Sequence, residues 1–260
     1  MHHFPVWQIG GLNIDLSTFL GIIVSCLIVF ILARLSVRNL SVTNPSKMQN
    51  FMEWVIEFVH GIIASTMPLN RVKPYVALGM TIIMFIFVSN LLGLPFGLVF
   101  SYTEPLSFLG YPIITEEMIH NAHGGHGYEL AWWKSPTADV SVTFGLAIIV
   151  FFLIHYLGLK QNTKHYLKHY FEPFWFFFPL NVIKEISKPL TLGLRLYANI
   201  FAGEVLIATI LMAGIAGTPL LMAWQGFSIF VGAIQAFLFT ILTMVYISQA
   251  TVHDESHDSH

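Results

Sequence analysis

LSTFLGIIVSCLIVFILA, from Leu16 to Ala33, decides the class of this protein, because 18 residues pass without a charge before Arg34 ends the run. About 20 mostly apolar residues are what a helix needs to cross a hydrocarbon core of roughly 30 Å. A cleaved leader would carry basic residues ahead of its apolar run and a small-x-small site after it. No Lys or Arg precedes Leu16, so a membrane span is expected instead. The rest of the chain agrees. Only 26 of 260 residues are charged, where an average soluble chain of this length would carry roughly 65. Hydrophobic residues make up 55% without the 19 glycines, too many to hide beneath a polar surface in water. Twelve basic and 14 acidic residues give a formal charge of -2, which leaves no electrostatic footprint for nucleic acid. The single Cys26 lies inside the run and excludes an intramolecular disulfide framework and a cysteine-based zinc site.

Outward from this first span (16–33), the apolar stretches 75–100 and 140–159 read as two more crossings, and 174–217 and 220–250 as a final pair. Gly217-Thr218-Pro219 marks the turn between the last two. Between them and the first span, 46–67 is amphipathic. Asn50, Glu53, Glu57 and His60 fall on one stripe at helical spacing, and Phe51, Val55, Phe58, Val59 and Ile62 on the other side. A charged stripe facing lipid would be unsatisfied, so this helix is expected along the membrane surface; a short cytoplasmic helix is the alternative. The expectation is one all-α membrane domain over 1–260, with five crossing helices and one amphipathic surface helix. Pro189–Gly217 would be about 43 Å long and Leu220–Ala250 about 46 Å, so the last two helices should form a strongly tilted hairpin or extend beyond the core.

Charge orients the set. Arg34, Arg38, Lys47, Arg71 and Lys73 lie between the first and second spans, and Lys160, Lys164 and Lys168 follow the third. The 101–139 segment holds one lysine, Lys134, against five acids. By the positive-inside rule 101–139 is an outer loop, the N-terminus lies outside, and the tail 251–260 is cytoplasmic.

Arg195 stands in TLGLRLYANIFAGEVL with no opposite charge within eight residues on either side. An arginine at bilayer centre costs about 2.5 to 3.5 kcal/mol on the insertion scale, so it must face protein or water. A snorkelling arginine or one capping backbone carbonyls is the structural alternative. Its guanidinium does not lose its proton, which makes it a poor relay but a good device for keeping a nearby carboxylate ionised. Asn199, Ala202 and Leu206 share its face within about 40°, whereas Glu204 lies about 180° round the helix and Glu185 about 80° away beyond Pro189. A partner acid must therefore come from another helix or another chain, and the other spans carry none. Glu185 and Glu204 bracket Arg195 at roughly 15 Å and 13 Å along the axis. Two titratable groups separated by a fixed cation outline two offset proton paths, unless Glu185 is simply paired with Lys184 or Lys188. In the last stretch Ser228, Gln235, Tyr246 and Gln249 form a polar stripe, which serves either as helix glue or, at Gln235, as a partner opposite Arg195. Asn90, deep in the second span, needs a hydrogen-bonding partner or water.

These residues carry a resemblance. The run Thr191-Leu192-Gly193-Leu194-Arg195-Leu196-Tyr197-Ala198-Asn199-Ile200, then Ala202-Gly203-Glu204, the preceding Ser187-Lys188-Pro189, the Ser89-Asn90-Leu91-Leu92-Gly93 run and Gln235-Ala236-Phe237 are similar to the subunit a family of bacterial F-type ATP synthases. The resemblance implies a multi-pass stator subunit of the bacterial cell membrane, with a subunit b stalk and a ring of c subunits as partners and no cofactor or metal. It implies that ring carboxylates pass Arg195 between two half-channels, with Glu204 on the outer side, Glu185 on the cytoplasmic side, Gln235 beside the arginine and Asn199 as a further matched residue. Ser228 stands where certain members carry His, and Gly93 where some carry Asp, so proton entry would rest on water and Glu204.

His120, His123 and His126 invite a metal reading, but Gly124-Gly125 breaks the helix that would align them, and a solvated outer loop is expected. The competing functions are a secondary transporter or channel using Arg195 as a fixed counter-ion and an intramembrane hydrolase. The first usually shows paired repeats with interrupted helices; the second needs a nucleophile and base at matched depth, and His155 is the only mid-span histidine.

Overall fold

The computed structural model describes residues 4–9, 12–93, 99–108, 111–120, 128–171 and 174–251. In chain order the helices are α1 (Leu16–Ser36), α2 (Lys47–Ala64), α3 (Lys73–Leu92), the short α4 (Glu116–His120), α5 (Val140–Phe171), α6 (Phe178–Leu211) and α7 (Thr218–Thr251). Five of them, α1, α3, α5, α6 and α7, are long and apolar enough to cross a membrane. Hydropathy located these helices well and their ends less well, for reasons that lie in the backbone. α3 stops at Leu92, not at Phe100, because Gly93 forms its C-cap and Pro95 follows. α5 runs on past Leu159 to Phe171, since helical backbone does not need apolar side chains once it has left the hydrocarbon. α6 and α7 each hold 34 residues, about 51 Å of helix. Their turn contains Gly214 at φ +60°, a left-handed conformation that a side chain would strain.

α1 shows how the bundle is packed. Its buried residues are Ser17, Thr18, Gly21, Ser25 and Ser36, while Phe19, Leu27, Phe30 and Ile31 point outward. Small residues inward and large apolar ones outward is the pattern of a helix whose solvent is lipid. α3 packs chiefly on α7, and α5 on α6 and α7. Val59 and Ile63 of α2, Ile86 of α3, Ala147 of α5, Leu196 of α6 and Met244 and Ile247 of α7 meet in one core. α2 docks on it by a narrower strip than its amphipathic pattern suggested. Asn50, Glu53, Glu57 and His60 are exposed as expected, and so are Phe51 and Phe58, which lie about 80° to 100° round the helix from Val59. Trp54 stacks on Phe58 and extends this exposed aromatic flank.

One end of the bundle carries three two-stranded antiparallel sheets, where sequence patterning gave only a terminus and a loop. The strands are β1 (Val6–Ile9), β2 (Leu12–Asp15), β3 (Val99–Tyr102), β4 (Leu106–Phe108), β5 (Tyr111–Ile114) and β6 (Tyr128–Ala131), paired β1 with β2, β3 with β6 and β4 with β5. At the opposite end Arg71 donates to the Thr251 carbonyl at 2.9 Å and to Gln161 Oε1 at 3.3 Å. A cation there both satisfies a terminal carbonyl of α7 and opposes the negative end of its dipole.

The strand-bearing end is fastened by one ion cluster. Lys134 Nζ lies 2.5 Å from Asp15 Oδ2, 3.0 Å from Asp139 Oδ2 and 4.4 Å from the Phe4 ring centre. Both acids are also helix caps: Asp15 Oδ1 accepts the Ser17 N–H at 2.9 Å to start α1, and Asp139 Oδ1 accepts the Ser141 N–H at 2.8 Å to start α5. Asp139 Oδ2 also accepts from Thr18 Oγ1 at 3.3 Å, across 121 residues of chain. Burial opposes the Lys134 ammonium, but Asp15 and Asp139 outweigh it and hold the pKa above the ordinary 10.5. Burial likewise opposes the Asp139 carboxylate, and Lys134 with the Ser141 amide holds it below the ordinary 3.8.

The sign of each shift sets a pH window. The Asp139 contribution to stability is complete above its unfolded value and is lost as pH falls through the lower folded one; that of Lys134 is complete below about 10.5 and is lost as pH rises through the higher folded value. Spin labels at positions 6 and 112, on the adjoining strands β1 and β5, with Cys26 replaced by Ala, should keep a constant separation from about pH 5 to 9 and spread only at acid below the ordinary carboxylate value of 3.8, as Asp139 protonates. A separation unchanged once Asp139 has protonated would show that something other than this cluster holds the hairpin.

Candidate functional site

α6 continues as helix through Pro189, which has no N–H to give to the carbonyl of Glu185 one turn earlier. Neighbouring hydroxyls tie into the same carbonyl ladder: Ser187 Oγ donates to the Ile183 carbonyl and Thr191 Oγ1 to the Ser187 carbonyl, each at 2.7 Å. Glu185 is paired, as one of the two sequence readings allowed. Its Oε1 lies 2.5 Å from Lys188 Nζ, and that ammonium stands 5.3 Å from the ring centre of Tyr246 on α7. Glu185, Lys188, Pro189 and Tyr246 line a cavity of about 10 Å³ with His155 of α5, so the mid-span histidine belongs to this group. His155 Nδ1 lies 2.9 Å from the Phe151 carbonyl.

Arg195 is half-buried, one helical stretch further on. No ion pair joins it to a carboxylate among the described residues. Gln235 of α7, 3% exposed, reaches it as expected, but through the backbone: Nε2 donates to the Arg195 carbonyl at 3.4 Å. Asn199, Ala202 and Leu206, the residues that share its face, are all exposed, as are Leu194 and Phe201 beside them. Leu192, Gly193 and Leu196 fill the opposite side of α6 against the bundle.

Beyond Arg195 a second cavity, of about 280 Å³, opens between α3, α6, α7 and the segment before α5. It brings together Asn90, Asn199, Glu204 and Ser228, four residues singled out by different sequence arguments. Trp224 also lines it, with Nε1 buried and without an acceptor among the described residues. The cavity wall is mostly apolar, and the few polar groups that converge on a volume of this size suit water. Glu204 is on the chain surface at one side of this cavity. Asn90, 4% exposed, has the partners its depth demands: Nδ2 donates to the Gly232 carbonyl at 3.1 Å, and Oδ1 accepts from Thr137 Oγ1 at 2.6 Å.

Sequence reasoning missed Ser135 and Thr137, both buried, with Ser135 on the cavity wall. It also missed the reason for Gly93: a Cβ there would stand 2.4 Å from the Ser135 Cβ, so the segment before α5 fills the space that a side chain at 93 would need. Gln249 is exposed and joins neither cavity. His120 is exposed at the end of α4, and His123 and His126 lie outside the described residues. No cluster of metal-ligating side chains occurs among the described residues.

Comparison with known proteins identifies the class to which this geometry belongs. A family model described as ATP synthase A chain matches residues 18–248. ATP synthase subunit a of Anoxybacillus flavithermus is 47% identical over 263 residues, covering 98% of this chain and all of the relative. The proteins of the same name from Bacillus subtilis and Listeria monocytogenes are each 44% identical, over 97% of this chain and 99% and 98% of their own lengths. With five membrane-length helices and this likeness over nearly its full length, the chain is a multi-pass membrane protein and belongs to the ATP synthase A chain family.

Proposed function

We propose that this chain conducts protons through two offset half-channels past a rotating ring of c subunits, with Arg195 as the fixed cation between them. The observation that carries the reading is the state of Arg195. It is a permanent charge in an apolar helix, without a carboxylate among the described residues, on a face of α6 left open by the rest of the chain. A carboxylate supplied from outside the chain would complete it. The ring carboxylate arriving at that face is kept ionised by the guanidinium and cannot carry its proton past. Protonated, it is neutral and crosses the lipid-facing part of its circuit at little cost.

The two cavities supply the proton sources. The basic residues between α1 and α3 and after α5 put the Arg71 end in the cytoplasm and the strand-bearing end outside. The Glu204 cavity is then the outer half-channel, with Asn199, Asn90 and Ser228 as its polar lining. The Glu185 cavity is the cytoplasmic one, where the bond to Lys188 opens when Glu185 takes a proton. Arg195 lies ten residues from Glu185 and nine from Glu204, roughly 15 Å and 13 Å along the helix, so neither water-accessible group reaches the other directly. Each proton moving down a potential of 100 mV supplies about 2.3 kcal/mol to rotation. The subunit b stalk holds the chain against the torque.

Three experiments test this in the whole complex reconstituted in vesicles. Arg195→Ala should abolish ATP-driven pumping and raise passive proton leak by at least about tenfold, the effect of ~1.4 kcal/mol at the barrier. Coupled pumping that survives the substitution sinks the reading. Cysteines placed at 199 or 206, with Cys26 replaced by Ala, should crosslink to a ring subunit, and a cysteine at 193, on the buried side of α6, should not. Glu204→Gln should likewise abolish ATP-driven pumping, with no added leak.

A further inference from the structure

The segment Trp133–Asp139 enters the helix bundle instead of lying over it. Trp133 Nε1 donates to the Leu92 carbonyl at 2.8 Å, and Ser135 Oγ donates to the Ser89 carbonyl at 2.9 Å, so the segment meets the last turns of α3. Ser135 and Thr137 are 1% and 0% exposed, and Pro136 packs against Gly21 of α1. A buried backbone loop with polar side chains is costly unless each polar group is matched. Here the polar groups lie close to one another. Ser135 Oγ and Thr137 Oγ1 lie 2.7 Å apart, and Thr137 Oγ1 lies 2.6 Å from Asn90 Oδ1.

Counting hydrogens gives this group a further property. Asn90 is oriented by its donation to the Gly232 carbonyl, so its Oδ1 only accepts. Two hydroxyl hydrogens then serve three contacts: Ser135 with the Ser89 carbonyl, Ser135 with Thr137, and Thr137 with Asn90. One of the three contacts is therefore without a hydrogen, which leaves the group short of one donor. Ser135 is the residue of this group, besides Asn90, that lines the cavity with Glu204, Ser228 and Trp224. The segment itself is held by its own charge, since Lys134 bridges Asp15 and Asp139 beside it. Asp15 and Asp139 are the acids that Lys134 meets among the described residues.

We propose that the Trp133–Asp139 segment is the hydrogen-bonding wall of the Glu204 cavity, with Ser135 as the hydroxyl that orders water there and Lys134 as the positioning residue that keeps it in place. The inference rests on Glu204 taking up protons, as proposed above, and extends that path to a part of the chain in which sequence patterning showed only a loop. Ser135 accepts from a water in the cavity and turns it toward Glu204. No proton passes through Asn90, whose amide has none to exchange in this role.

The test uses the whole complex in vesicles, in a Cys26→Ala background with Val231→Cys, on the cavity wall, as a reporter, and pumping rates are taken relative to that background. Ser135→Ala should slow ATP-driven pumping by about threefold to tenfold, as for loss of one hydrogen-bonding group, and leave the rate of thiol labelling at 231 unchanged. Lys134→Met should slow pumping by at least as much and raise labelling at 231 several-fold, because the wall is released. Lys134→Arg, which keeps the charge, should restore both to near the parental values. Glu204→Gln, measured alongside, separates the two claims. Parental pumping in both Ser135→Ala and Lys134→Met, with pumping lost in Glu204→Gln, overturns the wall and leaves the half-channel standing; parental pumping in all three overturns the half-channel itself. If Lys134→Met fails to assemble, Asp139→Asn replaces it, with the same expected rise in labelling and the same overturning result.

Discussion

A guanidinium without a carboxylate, in the middle of an apolar helix, is the constraint around which this chain is built. The charge cannot be removed by deprotonation and cannot be left to lipid, so the helix that carries it must keep one side on protein and one side open. α6 does so by burying Leu192, Gly193 and Leu196 against α5 and α7 while Leu194, Asn199 and Leu206 stay exposed. Gln235 touches the backbone of Arg195, which fixes the helix pair without consuming the charge. The two cavities fall on opposite sides of Arg195 along α6, because a helix of 34 residues places groups nine or ten residues away well beyond contact distance.

Apolar surroundings also explain how the rest of the bundle treats its polar atoms. Thr240, Thr243 and Thr251 each return their hydroxyl to the carbonyl four residues earlier, at 2.7 to 2.8 Å, so α7 presents methyl groups to its neighbours. Asn90, deeper in the bundle, is answered by other elements, through Gly232 and Thr137. Trp224 Nε1 is a buried donor without a protein acceptor among the described residues, and it lies in the cavity that suits water.

Much of this was legible in the sequence because hydropathy and helical spacing are local quantities. Five apolar stretches became five helices, Asn199 and Leu206 share the exposed side with Arg195, and the polar residues Asn50, Glu53, Glu57 and His60 of α2 face away from the core. The exposed Phe51 and Phe58 were not legible, since spacing tells an apolar side from a polar one but not how wide a strip the neighbours cover. Ser135 and Thr137 were not legible either. Their partners Ser89 and Asn90 lie 46 and 47 residues away, and an irregular segment has no period to betray which of its groups point inward. The one available signal was compositional: a lone lysine among the acids of 101–139.

The inward face of α1, made of serine, threonine and glycine, has a consequence for how the protein is made. α1 meets the apolar core through Val29 and Leu32 and is fastened by polar bonds at its ends, through Asp15 and Thr18 at one and the bond from Ser36 Oγ to the Met48 carbonyl, 3.0 Å, at the other. The first of these fastenings needs Lys134 and Asp139, which leave the ribosome long after α1. Until then α1, the most apolar of the five spans, resides in the bilayer on its own hydropathy. Closing that first fastening is thus a late step in biogenesis, which waits for translation of the segment before α5.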